Sequence, residues 1–165
     1  MSGRERIYLV IGTCFGLGLA PIAPGTAGAL LGIPIFVAVT LRTPDALHTP
    51  LLLAALLLVG VANHLLTPWA VRYWDCKDPK NFVLDEVAGY LMTVLLFRGG
   101  ANLLLTILWT FFAFRILDII KPPPARQMEG LPGSWGIVLD DLTSATYAAA
   151  FLHGLRYWQP SWFGG

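Results

Sequence analysis

The chain is short of charge. Asp, Glu, Lys and Arg make up 13% of its 165 residues, and 56% are hydrophobic; this charged share is about half of that in soluble domains. The net charge is +1 and no basic stripe is present, which speaks against a nucleic-acid-binding protein. The two cysteines, Cys14 and Cys76, lie far apart in unlike surroundings. Neither a disulfide framework nor a metal knuckle is therefore expected.

Long charge-free runs take the place of charge. They cover residues 7–41, 46–71, 87–97, 99–114 and 142–155. A bilayer core about 30 Å thick requires about 20 apolar residues per helix, and several of these runs are close to that length. The sequence therefore predicts one all-α domain over residues 1–165, a multi-span membrane helical bundle of about five to six helices.

The connections between the predicted helices alternate in character. We expect helices over residues 7–20, 27–41 (kinked at Pro34), 51–66, 85–97, 101–120 and 140–158. If each helix crosses once, the loops on one side are 21–27, 67–86 and 121–140. The other side then has only the connections at 42–50 and 98–100, the second a tight turn at Arg98-Gly99-Gly100. Every charged or glycine-rich motif is thus predicted to share one membrane face.

The distribution of Lys and Arg bears on which face that is. If helix 7–20 crosses the membrane, the positive residues divide evenly between the two sides. If that helix lies in the interface, the motif side has seven positive residues, and the opposite side has Arg42, Arg98 and Arg156. Cytoplasmic loops are enriched in Lys and Arg. We therefore expect the motif face to lie in the cytoplasm.

Two pairs of acids stand where helices are predicted to begin. They are Asp85-Glu86 and Asp140-Asp141. Helix capping and the helix dipole would explain either pair alone. Two such pairs on one membrane face point to a function, because carboxylates at the membrane are costly.

Asp118 is predicted in the last turn of its helix, where the dipole disfavours a negative charge. Arg115 and Lys121 lie three residues to either side and share its helical face. They could form structural ion pairs with Asp118. Alternatively, Asp118 holds a cation while Arg115 and Lys121 bind phosphate oxygens.

These motifs together have a net charge of −2, which a divalent cation would neutralise. Oxygen ligands favour magnesium or manganese over zinc. The residues counted are five acids (Asp85, Glu86, Asp118, Asp140, Asp141) and three bases (Arg115, Lys121, Arg126).

The segment PGTAG, residues 24–28, leads into a predicted helix, with Thr26 as its expected N-cap. Backbone N–H groups at such a position can bind an anion. Taken alone, the segment is more simply a helix-starting turn.

Four motifs in this order resemble the phosphatidylglycerophosphatase A family of bacterial membrane lipid phosphatases. The motifs are PIAPGTAG (21–28), VLDEVAGY (83–90), FRILDIIKPPPARQME (114–129) and GIVLDDLTSA (136–145), and the resemblance covers about residues 12–150. It implies a magnesium-dependent, multi-pass enzyme of the bacterial inner membrane. Such an enzyme removes the terminal phosphate of phosphatidylglycerophosphate and leaves phosphatidylglycerol.

The resemblance also implies roles for single residues. The catalytic candidates are Asp85, Asp118, Asp140 and Asp141. The candidate Mg²⁺ ligands are Asp85, Glu86, Asp140 and Asp141. The candidate phosphate-binding residues are Arg115, Lys121, Thr26 and Gly25. Attack by a metal-polarised water and attack by an aspartate both remain open.

Other classes are disfavoured on specific grounds. A small ion-coupled transporter could use the same charges, but it should show interrupted helices near the bilayer midplane and often inverted repeats. Here the charges are predicted at helix ends and no repeat is evident. A non-catalytic scaffold gives such a charged face no purpose. His48, His64 and His153 are not placed to form a phosphohistidine.

Overall fold

The computed structural model describes residues 2–98 and 101–164, so Gly99 and Gly100 of the predicted turn lie outside it. The described residues are largely helical and contain no strand, which confirms the all-α prediction. The helices are α1 (Gly3–Gly12), α2 (Pro24–Ala29), α3 (Gly32–Arg42), α4 (Asp45–Trp74), α5 (Leu84–Leu96), α6 (Leu103–Ile120), α7 (Ala125–Met128) and α8 (Ser134–Trp158).

Three segments of the described chain are long and apolar enough, by length and composition, to cross a membrane. They are Pro24–Arg42, Asp45–Trp74 and Leu103–Ile120. Helices α5 and α8, which the alternation of loops counted as crossings, are not among them. Helix α5 has 13 residues, about 20 Å at 1.5 Å per residue, which is shorter than the bilayer core.

Helix α5 forms the centre of the bundle, where it contacts α2, α3, α4, α6 and α8. Its side chains Tyr90, Leu91 and Val94 are fully buried. Near its C-terminal end, His153 Nε2 of α8 lies 3.0 Å from the Leu96 carbonyl oxygen. At its N-terminal end, α5 brings Asp85 close to Asp141 of α8. The two helices therefore run parallel, with acidic residues at one end of their contact.

The N-terminal segment differs from the predicted helix 7–20. Helix α1 begins earlier because the Ser2 hydroxyl and the Glu5 carboxylate form a capping box. It ends at Gly12, since Cys14 and Phe15 adopt positive φ angles. Val83 N donates to the Gly12 carbonyl oxygen at 3.0 Å, which fixes this end beside the start of α5.

The second predicted helix is divided at a different residue. Helix α2 ends at Ala29 and α3 starts at Gly32, so the interruption comes before Pro34. Pro34 lies in the first turn of α3, where its missing N–H costs nothing. The N-cap of α2 is Ala23, and Thr26 lies inside the helix. The predicted N-cap role of Thr26 is therefore wrong.

Helices α4 and α8 both extend beyond their predicted limits. Helix α4 has 30 residues and continues through Pro50 and Pro68, so the polar loop before α5 is shorter than predicted. Helix α8 starts at Ser134, which makes Asp140 and Asp141 its seventh and eighth residues. The prediction that this pair stands at a helix start is wrong, and N-terminal capping does not explain these acids.

Candidate active site

The four motifs converge on one polar pocket of about 230 Å³. It brings together every predicted site residue except Thr26. Its wall is formed by Pro24, Gly25, Asp78, Pro79, Lys80, Phe82, Asp85, Glu86, Arg115, Asp118, Lys121, Asp140 and Asp141. The predicted gathering of the motif loops is therefore confirmed.

Three carboxylates form the inner part of the pocket. Asp85 and Glu86 lie in the first turn of α5, and Asp141 projects from the body of α8. One oxygen from each of the three lies within 4.8 Å of the others. Asp85 and Asp141 are 7% and 4% exposed, so these charges are largely removed from solvent.

These carboxylates have oxygens without a donor. In the described part of the chain, no hydrogen-bond partner reaches Asp85 Oδ1, Glu86 Oε2 or Asp141 Oδ2. Burying a charged oxygen without a partner is expensive, and like charges this close repel each other. A hard divalent cation bound by carboxylate oxygens would remove both costs. The three residues therefore fit a magnesium-type site.

Lys121 joins two further acids at the pocket wall. Its Nζ donates to Asp140 Oδ2 at 2.6 Å and also to the Glu129 carboxylate. Burial of the ammonium lowers the pKa of Lys121, but the hydrogen bonds to Asp140 and Glu129 outweigh this effect, so its pKa lies above the ordinary lysine value. Lys121 therefore stays positively charged at the ordinary working pH.

Arg115 and Asp118 lie one turn apart on α6 and form a buried ion pair. Arg115 Nη1 lies 2.9 Å from Asp118 Oδ2. Asp118 Oδ1 is buried and finds no donor among the described residues. Both side chains also line the pocket. The pair has thus a structural contact and access to a ligand, and the two interpretations offered by the sequence do not exclude each other.

Gly25 allows α2 to lie directly against the acidic residues. A Cβ at this position would be 2.0 Å from Glu86 Oε1 and 3.1 Å from Arg115 Nη2. No side chain fits there unless Glu86 moves. The PGTAG segment therefore contributes to the pocket through its backbone at Gly25.

Sequence reasoning did not include several residues of the site. Asp78, Lys80 and Phe82 come from the short loop between α4 and α5. Glu129 follows the three prolines and returns to Lys121. A lone charge in a polar loop has no periodicity that would single it out. The return of the chain after the prolines was the one signal that could have pointed to Glu129.

The three histidines make other contacts, as their positions in the sequence indicated. His48 Nε2 lies 3.0 Å from the Thr43 carbonyl oxygen, and His64 Nδ1 lies 2.6 Å from Ser134 Oγ. His153 contacts the Leu96 carbonyl oxygen. None of them lines the carboxylate pocket. Arg126 is exposed and also lies outside the pocket wall.

An apolar helical bundle with one pocket of buried carboxylates and cations defines a class, the membrane enzymes that act on phosphate esters. Comparison with known proteins identifies the family. The family profile described as Phosphatidylglycerophosphatase A matches residues 10–156. The chain belongs to the phosphatidylglycerophosphatase A family, and it is a phosphatase. The transporter alternative receives no support from these comparisons.

Individual relatives agree with this assignment over most of their length. A Bacteroides thetaiotaomicron protein with the provisional name phosphatidylinositol-3-phosphatase is 35% identical over 162 residues, which is 95% of this chain and 98% of that protein. Phosphatidylglycerophosphatase A of Escherichia coli K12 is 31% identical over 147 residues, 88% of this chain and 81% of the relative. The Haemophilus influenzae protein of the same name is 30% identical over 145 residues, with coverages of 87% and 85%. No solved structure matches the chain.

Proposed function

We propose that the protein hydrolyses the terminal phosphate of phosphatidylglycerophosphate and releases phosphatidylglycerol. We further propose that it depends on Mg²⁺ and spans a bacterial inner membrane several times, with the site facing the cytoplasm. The observation that supports the chemistry is the group of three buried carboxylates, Asp85, Glu86 and Asp141, in one pocket with Arg115 and Lys121. Acids that hold a cation and bases that hold an anion are both needed to bind a phosphomonoester.

Asp85, Glu86 and Asp141 would hold the Mg²⁺, because their oxygens converge and have no donors. When bound, the ion would neutralise charge that develops on the phosphoryl group. Asp140 stays a predicted ligand, directly or through water, although Lys121 occupies one of its oxygens.

Arg115 and Lys121 would bind the phosphate oxygens. Asp118 orients the guanidinium of Arg115 by the 2.9 Å ion pair, and Asp140 and Glu129 hold the ammonium of Lys121. Both cations are therefore fixed before the substrate arrives, which is the arrangement that stabilises a transition state most effectively. The backbone at Gly25 completes this wall. Thr26 does not line the pocket, so we leave it out of the proposed phosphate site.

Two routes for the hydrolysis fit the pocket. In one, a carboxylate takes a proton from a water that attacks phosphorus, and the lipid hydroxyl leaves. In the other, an aspartate attacks phosphorus, and water then hydrolyses the acyl phosphate. Asp85, Asp118, Asp140 and Asp141 are the candidates in either case. A single turnover in ¹⁸O-labelled water separates the routes, since only the first places solvent oxygen in the phosphate at once.

The deciding experiment is phosphate release from phosphatidylglycerophosphate by the detergent-purified protein. It is run with Mg²⁺, with excess chelator, and with the Asp141→Asn variant. We expect release that requires Mg²⁺ and falls by about a hundredfold or more in the variant, the range seen when a group that stabilises the transition state is removed. Full activity in chelator, or in Asp141→Asn, would contradict the proposal.

Phosphatidylinositol 3-phosphate is the second candidate substrate. The relative with the greatest coverage given above has a provisional name that refers to it, and it is also a lipid phosphomonoester. The same assay with both lipids decides between them by the ratio of their kcat/KM values.

A further inference from the structure

A large apolar groove lies between α4, α5 and α8, beside the carboxylate pocket. Its volume is about 560 Å³, more than twice that of the pocket. Residues from all three helices form its wall, among them Leu53 and Gly60 of α4, Ala88 and Met92 of α5, and Val138 and Leu142 of α8. No feature of the phosphatase chemistry requires this groove.

The groove has a polar end and an apolar end. At the polar end, His64 Nδ1 lies 2.6 Å from Ser134 Oγ, and the indole of Trp135 lies against the His64 ring with centroids 5.9 Å apart. Amphipathic aromatic rings of this kind favour the level of the lipid headgroups. The wall at the other end is aliphatic, with Leu53, Leu95 and Leu96. The groove thus has the polarity of a lipid that enters the bilayer.

The groove follows directly from the active-site residues along two helices. Ala88 comes one helical turn after Asp85 on α5, and Leu142 comes immediately after Asp141 on α8. Residues three apart lie on one helical face, so Asp85 and Ala88 form a continuous surface. The carboxylate pocket and the groove therefore border the same contact between α5 and α8.

A further cavity of about 320 Å³ joins the two at the polar end. Asp78 lines both this cavity and the carboxylate pocket. Gly133 lines its other side, and the next residue, Ser134, lines the groove. The cavity also contains Lys77, whose Nζ donates to the Glu129 carbonyl oxygen at 3.1 Å. A cationic compartment thus separates the acidic pocket from the apolar groove.

We propose that the groove holds one acyl chain of the lipid substrate while its phosphomonoester occupies the carboxylate pocket. This inference rests on the proposed function. A phospholipid with a terminal phosphate presents a phosphomonoester, then a polyol with a phosphodiester, then the acyl chains. The three compartments occur in that order, and Lys77 lies where the diester anion passes. The groove therefore selects for a substrate that remains anchored in the membrane.

The test fills the groove. Gly60 lines it, and a Cβ at Gly60 meets no atom within 4 Å, so Gly60→Leu adds volume there without pressing on the wall. Gly154→Leu is the matched control, since Gly154 is also helical, also open around a Cβ, and outside the groove. For each protein, kcat/KM is measured with long-chain phosphatidylglycerophosphate in mixed micelles. It is measured again with the deacylated, water-soluble headgroup, which has the same phosphomonoester.

We expect Gly60→Leu to lower the long-chain to deacylated ratio about tenfold, chiefly through KM, a loss of the size expected when apolar chain contacts are removed from a pocket. Gly154→Leu should leave the ratio unchanged. An unchanged ratio in Gly60→Leu would overturn the inference. Equal losses on both substrates, with dissociation of a detergent-solubilised oligomer, would identify the groove as a subunit contact and would also overturn it. The wild type reports on the proposed function separately, because inactivity on both substrates would refute that function itself.

Discussion

Gly25 leaves the space that the Glu86 carboxylate occupies. A Cβ on Gly25 would lie 2.0 Å from Glu86 Oε1, so α2 and the start of α5 approach each other as closely as a glycine permits. Because the contact involves the flexible end of Glu86, Gly25→Ala should displace that carboxylate without unfolding the protein. We expect kcat to fall about a hundredfold, as misplacement of a ligand by about 1 Å can cause.

Phosphate release and thermal unfolding are measured together for this variant. Gly154→Ala serves as the control, because its Cβ would enter open space. A Gly25→Ala enzyme with wild-type kcat would show that the position of Glu86 does not matter for turnover.

Lys121 and Asp140 should prove to be energetically coupled. Lys121→Met leaves Asp140, whose side chain is 4% exposed, without its cation. We expect this to cost about 2 kcal/mol, less than the 3–5 kcal/mol of a fully buried pair, because Lys121 is partly exposed. In the double variant with Asp140→Asn, much of this loss should be recovered, since no uncompensated charge remains.

The measurement is a double-mutant cycle on the free energy of unfolding in detergent. Strict additivity of the two single changes would contradict the 2.6 Å contact as an energetic unit. Activity should be low in all three variants, whatever their stability.

Arg115 should not be replaceable by lysine. The guanidinium has five donors in a planar fork and can bind Asp118 and a phosphate at once, whereas an ammonium is a single point of charge. We therefore expect Arg115→Lys to lower kcat/KM about tenfold or more, the cost of one lost charge-assisted hydrogen bond. Arg126→Lys is the control, since Arg126 is exposed outside the pocket wall. Equal activities of the two variants would exclude a specific role for the fork.

Magnesium should stabilise the folded protein independently of catalysis. Three carboxylates within 4.8 Å of one another repel each other unless an ion lies between them. Mg²⁺ at about 100 times its Kd should therefore stabilise the wild type by about 2.7 kcal/mol. Asp141→Asn should abolish this stabilisation and, by removing one of the repelling charges, raise Tm in chelator. A variant that keeps the full Mg²⁺ shift in Tm would remove Asp141 from the site.

The sequence predicted the composition of the site better than its local geometry. Asp85 and Glu86 stand at a change from polar loop to apolar run, and the structure starts α5 there. The same boundary rule failed for Asp140 and Asp141. Two glycines, Gly133 and Gly136, make the preceding segment resemble a turn, yet the helix already begins at Ser134.

The remaining differences have similar causes. Pro68 suggested a helix end, but α4 passes through it to Trp74, since packing against α5 can outweigh the loss of one backbone hydrogen bond. Asp78 and Glu129 could not be distinguished from solvated loop charges, because only the folded chain brings them to the pocket and to Lys121. Tertiary contact, which has no local pattern, decides such residues.

The position of Asp140 and Asp141 inside a helix has a consequence for how the site can change. Successive residues on an α-helix point about 100° apart. Asp140 accordingly faces Lys121, whereas Asp141 faces Asp85 and Glu86. The doublet is therefore not a duplicated acid in which one copy can substitute for the other. Loss of either aspartate leaves a vacancy that its neighbour cannot turn to fill, and a one-residue insertion upstream in the helix would misplace both at once.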